Sequence, residues 1–211
     1  MMRNAPPAAW RDTWRSWLHP RVITMLFLGF SAGIPILLIF STLSAWLTEA
    51  GVKKSAVTFF SWAALGYSFK FVWAPLIDRM PLPWLTARLG RRRSWMVVSQ
   101  LCIMAAILLM ALIDPASSQA QLTAMAWAAV LLGFSSATQD IVIDAYRIES
   151  ADKKLQAMLS ATYIAGYRIG MLVAGAGSLA LAGYLGTSVN DYSYAAWKIT
   201  YVGVAFCMCV G

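Results

Sequence analysis

Long apolar runs dominate the chain, separated by short polar stretches. The runs cover residues 22–47, 56–77, 95–113, 122–146 and 155–185, and a sixth begins near residue 195 and is still apolar at Gly211. A transmembrane helix takes about 20 mostly apolar residues, because each residue advances about 1.5 Å through a core ~30 Å thick. The pattern therefore predicts an all-α membrane protein of six transmembrane helices, the sixth cut short. It divides the chain into a basic, aromatic tail over residues 1–21 and a six-helix bundle over residues 22–211, expected to be part of a longer protein. In the tail, Trp10, Trp14 and Trp17 stand at i, i+4 and i+7 beside Arg11 and Arg15, a spacing that predicts a short helix lying on the membrane surface. The first apolar run far exceeds the roughly 7–15 residues of a signal peptide's apolar segment.

Composition agrees with the pattern. Of 211 residues, 60% are hydrophobic and 12% charged, against about 25% charged in a soluble domain. That excludes an ordinary soluble enzyme, a disordered segment and a disulfide scaffold. The net charge of +8 orients the bundle. Arg3, Arg11, Arg15, Arg21, Arg79, Arg88, Arg91, Arg92, Arg93, Arg147, Lys153 and Lys154 fall on one side, and Lys53, Lys54 and Lys198 on the other. The rule that basic loops stay inside predicts a multi-pass protein with a cytoplasmic N-terminus. The basic balance is thus an orientation signal, and no nucleic-acid partner is expected. Cys102, Cys207 and Cys209 lie in apolar runs, and His19 has no ligating neighbours. No metal site, cofactor loop or catalytic constellation is visible, so an enzyme is not expected.

The sequence echoes itself. Leu28-Gly29-Phe30-Ser31 recurs as Leu132-Gly133-Phe134-Ser135, and Gly66-Tyr67 before Lys70 recurs as Gly166-Tyr167 before Arg168. Each echo pairs one span with the span three later, as a 3+3 inverted repeat would.

Five charges interrupt the apolar runs: Lys70, Asp140, Asp144, Arg147 and Arg168. Each costs on the order of 2.5–3.5 kcal/mol at the bilayer centre, so none is expected to face lipid. Asp140, Asp144 and Arg147 share one helix face, flanked by Gln139 and Tyr146. Two readings stand. The charges lock helices together as buried ion pairs, Lys70 with Asp140 for instance, or they line a polar pathway. Burial disfavours a carboxylate's charge and a nearby cation favours it. Asp140 and Asp144 are therefore candidates for binding and releasing a proton, while Lys70 and Arg168 suit an anionic substrate. Gly29 and Gly33, with Gly166, Gly170, Ala174 and Ser178, form small-residue stripes that let helices pack closely or slide.

Ala74-Pro75-Leu76-Ile77-Asp78-Arg79 followed by Gly90-Arg91-Arg92-Arg93 resembles the cytoplasmic signature of the major facilitator superfamily. It departs in having Ala74 for the usual glycine and about ten residues inserted before Gly90. Within that superfamily the chain resembles the AmpG muropeptide permeases. The stretches that carry this run Leu28–Pro35, Phe69–Arg79, Ser136–Tyr146 and Gly166–Val173. The resemblance implies the N-terminal bundle of an inner-membrane permease that imports GlcNAc-1,6-anhydromuropeptides with protons. Such import serves peptidoglycan recycling and β-lactamase induction. Implied partners are the cargo, protons, the lipid bilayer and the C-terminal half of the same transporter. The substrate site would gather Lys70 and Arg168 for carboxylates, Tyr67 and Tyr167 for sugar rings, and Gln139 and Gly29 beside them. Asp78, Arg79, Gly90, Arg91 and Arg92 would form the cytoplasmic gate. Two other expectations are a related porter for acetyl-CoA or sugar phosphates, and a six-span sensor or scaffold that transports nothing.

Overall fold

Pro20 opens the first helix, where its missing N–H would have had no partner in any case. The preceding His19 caps the end by accepting from the Arg21 N–H through Nδ1 at 3.2 Å. In the computed structural model, which describes residues 17–53, 57, 60, 65–149 and 153–211, α1 runs Pro20–Leu37. Pro35 removes a donor inside this helix, and a π-helical turn, Leu38–Thr42, follows before α2 (Leu43–Glu49). Next come α3 (Leu65–Arg79), the short α4 (Leu85–Leu89), α5 (Arg91–Ala111) and the long α6 (Gln119–Glu149). Another interrupted rod follows: α7 (Lys153–Leu172), a π turn at Val173–Gly177, and α8 (Ser178–Tyr184). Last is α9 (Tyr194–Cys207), which tightens into a 3₁₀ turn at Met208–Val210.

Four rods are long and apolar enough to cross a membrane: Pro20–Glu49, Arg91–Ala111, Gln119–Glu149 and Leu155–Tyr184. They contain the first, third, fourth and fifth predicted spans, with ends differing by a few residues. The second is described from Leu65, and the sixth is the shorter apolar helix Tyr194–Val210. Trp10 and Trp14 of the expected surface helix lie outside the described residues, as do Arg3, Arg11 and Arg15.

The closest approach is between α1 and α7, and glycine makes it possible. A Cβ added at Gly29 or Gly33 would overlap the backbone carbonyls of Tyr163 and Tyr167. One added at Gly166 or Gly170 would overlap those of Leu26 and Phe30. The contact is reciprocal, four glycines allowing two backbones to touch where side chains would hold them apart. The two π turns face each other beyond this crossing. Thr42 Oγ1 donates to the Ala174 carbonyl at 2.5 Å there, partnering an oxygen that the irregular turn exposes.

Elsewhere α5 packs on α6 and α9, and α3 packs on α6. At the end remote from the arginines a buried aromatic cluster closes the bundle. The Trp46 and Trp197 rings stack at 5.6 Å, and Tyr201 lies 4.7 Å from Trp46. The Glu49 carboxylate accepts from Thr187 Oγ1 (2.6 Å) and Trp197 Nε1 (2.9 Å). Trp46 Nε1 donates to Tyr192, whose hydroxyl donates to Asp114 at 2.7 Å. These bonds tie α2, the loop after α5 and the start of α9 into one cap.

If the glycine crossing sets the spacing of α1 and α7, Gly33→Ala or Gly166→Ala must push backbones apart. The expected loss is about 1–3 kcal/mol, as for overpacking a dense core, read as a lower melting temperature in nanodiscs. Gly203→Ala, with nothing within 4 Å of the added Cβ, does not lower the melting temperature, since alanine favours a helix over glycine.

Candidate functional site

On α3, Tyr67 and Lys70 are one turn apart; on α6, so are Ser136 and Asp140, and the two helices set these pairs opposite each other. Lys70 Nζ lies 3.9 Å from Asp140 Oδ2, and the Tyr67 hydroxyl donates to Ser136 Oγ at 2.7 Å. Trp73 Nε1 donates to Thr138 Oγ1 at 3.3 Å and its ring lies tilted against Phe134, centroids 4.6 Å apart, completing the seam. The Asp140 side chain is 16% exposed, and its Oδ1 has no partner among the described residues. Tyr163 and Tyr167 of α7 lie within electrostatic reach of Asp140. One carboxylate therefore faces an ammonium and three phenols.

One turn further along α6, Asp144 Oδ1 accepts from Arg147 Nη2 at 3.0 Å. The Arg147 guanidinium also sits 5.8 Å over the Tyr163 ring, a cation–π geometry. Four of the five charges that interrupt the apolar runs are thus paired. The fifth, Arg168, stands apart on the exposed side of α7, its Nη1 4.0 Å from Met171 Sδ. Gly29 serves the crossing, where it holds α1 against the backbone of Tyr163.

Gln139 points into the bundle, fully buried. Its Nε2 donates to Gln100 Oε1 on α5, and Gln100 Nε2 donates to the Met208 carbonyl and to Ser31 Oγ, the latter at 2.8 Å. Gln100 is a residue the sequence analysis overlooked. Its signal was slight: it is the one amide in the apolar run of residues 95–113.

At the arginine-rich end the signature residues do not pair in the order they are written. Arg92 Nη1 binds Asp78 Oδ1, and Arg92 Nη2 binds Glu149 Oε1 at 2.6 Å. This joins the ends of α3 and α6 through the first turn of α5. Gly90 makes the geometry possible by turning the chain at φ +80° between α4 and α5, a conformation that favours glycine. Among the described residues Arg79 and Arg91 make no ion pair. Glu149 is the second residue overlooked. It lies just past the apolar run, where an acid reads as a solvated end.

Among the described residues, no three His, Cys, Asp or Glu side chains gather to hold a metal ion. What the arrangement brings together is two carboxylates, each paired with a cation, inside the helix bundle.

The profile of the family described as acetyl-coenzyme A transporter 1 matches residues 21–193. The Rickettsia felis protein named transporter AmpG 4 is 38% identical over 190 residues, covering 90% of this chain and 43% of that protein. The anhydromuropeptide permease of Escherichia coli K12 is 39% identical over 168 residues, covering 80% of this chain and 33% of the permease. A Haemophilus influenzae protein is 34% identical over 191 residues, covering 90% of this chain and 41% of that protein. The chain therefore spans well under half the length of these relatives, of which the Rickettsia felis and Escherichia coli proteins are named a transporter and a permease, not enzymes. The resemblance to AmpG permeases drawn from the four motif stretches holds across nearly the whole chain. This integral membrane protein belongs to the acetyl-coenzyme A transporter 1 family, with AmpG-type permeases among its relatives.

Proposed function

We propose that the chain is the N-terminal half of a secondary transporter that imports GlcNAc-1,6-anhydromuropeptides, coupled to protons, across the bacterial inner membrane. The observation that carries this is the Lys70–Asp140 pair, seated between α3 and α6 and bordered by Tyr67, Tyr163 and Tyr167. The printed name of the E. coli relative favours the cargo. In this reading the basic end is cytoplasmic, and the other half of the transporter closes the site.

Proton binding at Asp140 cancels the carboxylate charge and weakens its hold on Lys70. The freed ammonium then takes a cargo carboxylate. Asp144 is the second candidate for the proton, with Arg147 as the cation it releases. The tyrosines offer ring faces and hydroxyls to sugar, and Gln139 offers an amide. Gly29 acts through the crossing, by fixing where Tyr163 and Tyr167 stand. Arg168, on the exposed face of α7, meets the cargo from the side the second half covers. The Asp78–Arg92–Glu149 cluster, with Gly90, Arg79 and Arg91 around it, forms the cytoplasmic gate.

A 3+3 inverted repeat accounts for the architecture. Under it, span one corresponds to span four and span two to span five, so the α1–α7 contact maps onto the contact of α6 with α3. Both contacts are present.

Uptake of labelled anhydromuropeptide into right-side-out vesicles holding the intact parent protein tests the proposal. A proton gradient is expected to drive accumulation, and Asp140→Asn to abolish it at an unchanged membrane level. Gradient-driven uptake that survives both Asp140→Asn and Asp144→Asn contradicts the coupling. The family profile's description favours a second cargo, acetyl-CoA, and competition by acetyl-CoA at concentrations where muropeptide does not compete would move the assignment to it.

The gate makes a separate prediction. Arg92→Ala breaks both ion pairs and biases the transporter toward one access state. Coupling free energies of about 1–3 kcal/mol correspond to roughly five- to 150-fold effects, so initial uptake is expected to fall at least about fivefold. Arg88→Ala, an exposed arginine outside this cluster whose guanidinium takes neither carboxylate, is expected to stay near wild type.

A further inference from the structure

We propose that residues 80–91, between α3 and α5, form a docking surface for anionic lipid headgroups, with Trp84 as its aromatic anchor. Contact of this kind requires only that the bundle sit in a membrane, and it holds whatever the cargo.

Helix length places the segment. The 21 residues of α5, at about 1.5 Å each, match a hydrocarbon core ~30 Å thick. Arg91, its first residue, therefore stands at the boundary, and the Arg92–Asp78 ion pair sets the end of α3 level with it. The chain between them, α4 included, runs along the membrane surface.

That segment is built, not slack. The Leu82 N–H donates to Thr86 Oγ1 at 2.8 Å, and the Thr86 N–H donates back to the Leu82 carbonyl at 3.0 Å. Trp95 Nε1 donates to the Met80 carbonyl at 2.9 Å, fastening the loop to α5. Within the Leu82–Thr86 bracket, the Leu85 N–H donates to the Pro83 carbonyl at 2.8 Å and closes a three-residue turn on Trp84. Trp84 takes φ +67° there, in the left-handed region that bulky side chains rarely enter, and turns of this hand are strained. It is also 85% exposed. The loop thus tolerates strain to hold its largest apolar side chain away from the protein. Water does not favour that arrangement, whereas a membrane interface does, because an indole settles at headgroup level. Met80 and Leu89, also exposed, add apolar surface on either side of it in sequence.

Charge identifies the headgroup. Between Asp78 and Asp114 the chain holds no acid and five arginines: Arg79, Arg88, Arg91, Arg92 and Arg93. Among the described residues only Arg92 enters an ion pair, with Asp78 and Glu149. Arg91 stands within electrostatic reach of Glu149 without binding it. Arg79, Arg88, Arg91 and Arg93 are exposed. One guanidinium of the five is thus committed to the protein's own carboxylates, and four present uncompensated positive charge at the membrane boundary. Surface binding strengthens with buried apolar area and with attraction to anionic lipid together, and this segment supplies both. Phosphate oxygens suit the guanidinium fork.

The test places the intact parent protein in nanodiscs of phosphatidylcholine and phosphatidylglycerol, with one lipid or the other spin-labelled near its headgroup to quench tryptophan. Subtracting the emission of Trp84→Phe from that of the unaltered protein isolates Trp84. Its emission is expected to be quenched at least about twofold more by labelled phosphatidylglycerol than by labelled phosphatidylcholine at equal mole fraction. Arg88→Gln combined with Arg93→Gln is expected to remove that preference and leave the quenching by phosphatidylcholine. Raising salt from about 0.1 M to about 1 M, which shortens the screening length from about 10 Å to about 3 Å, is expected to do the same. Trp84 emission that neither lipid quenches overturns the proposal: at the wavelength of indole in water the loop is solvated, and shifted to the blue it is covered by another part of the parent protein. Equal quenching by the two lipids, or a preference that survives the double variant, overturns the assignment to anionic headgroups. Should Trp84→Phe fail to reach the membrane, electron spin resonance of the labelled lipids decides. The unaltered protein's preference for phosphatidylglycerol must then fall in the double variant and in high salt, and a preference unchanged by both overturns the proposal.

Discussion

Water is absent from the bilayer interior, so a polar atom carried into it must bring or find its partner. Lys70 and Asp140 meet that requirement with each other, Asp144 and Arg147 do so one turn away, and Gln100 satisfies α1, α6 and α9 together. The arrangement is economical in helices: α6 carries Ser136, Thr138, Gln139, Asp140, Asp144 and Glu149, and through them makes polar contacts with both α3 and α5. A rigid α6 with partners on several sides is the axis around which the rest is organised. The α1–α7 crossing contributes by backbone contact alone, and places Tyr163 and Tyr167 near the charges that α6 presents.

The two ends of the molecule are built differently. The end with Trp46, Trp197 and Tyr201 is fully buried and closed by hydrogen bonds to Glu49 and Asp114. The arginine-rich end is held by Arg92 between Asp78 and Glu149, whose side chains are 45% and 53% exposed. Exposed ion pairs are weak and easily exchanged, and a packed aromatic cluster is neither. A bundle that must change its access while keeping its fold would need this asymmetry: a fixed end and a releasable one. The π turns in both interrupted rods, placed beyond the glycine crossing, lie on the fixed side, where Thr42 and Ala174 bind them together.

Much of this was legible in the residues. Apolar run lengths located the long helices to within a few residues, because in a membrane hydropathy and helix formation are one requirement. The five interrupting charges were visible for the same reason, and the helix period alone placed Asp140, Asp144 and Arg147 on a common face. The glycine stripes announced close packing, though spacing could not say that α1 and α7 were each other's partners. What escaped notice was neutral or peripheral. Gln100 is a single amide among aliphatic residues, and its importance lies in an acceptor 108 positions later. Glu149 lies beyond the apolar run, and only the fold brings it to Arg92. Arg168 interrupts a span as the paired charges do, yet a residue's depth in sequence does not give its direction, and it lies exposed on α7 beside Met171. The π turns have no signature in Leu38-Ile39-Phe40-Ser41-Thr42 at all.

The central claim is that a proton and an anionic cargo exchange places at one ion pair, and proton linkage tests it most directly. Cargo binding to the detergent-solubilised intact protein would be measured by titration calorimetry in two buffers of equal pH and different ionisation heat. If binding of the cargo carboxylate at Lys70 requires a proton on Asp140, the observed heat depends on the buffer, reporting proton uptake. Asp140→Asn then binds cargo with a heat that the buffer does not change. Equal heats in both buffers for the unaltered protein would mean that cargo binds without a proton, and the exchange at Lys70 and Asp140 would be contradicted.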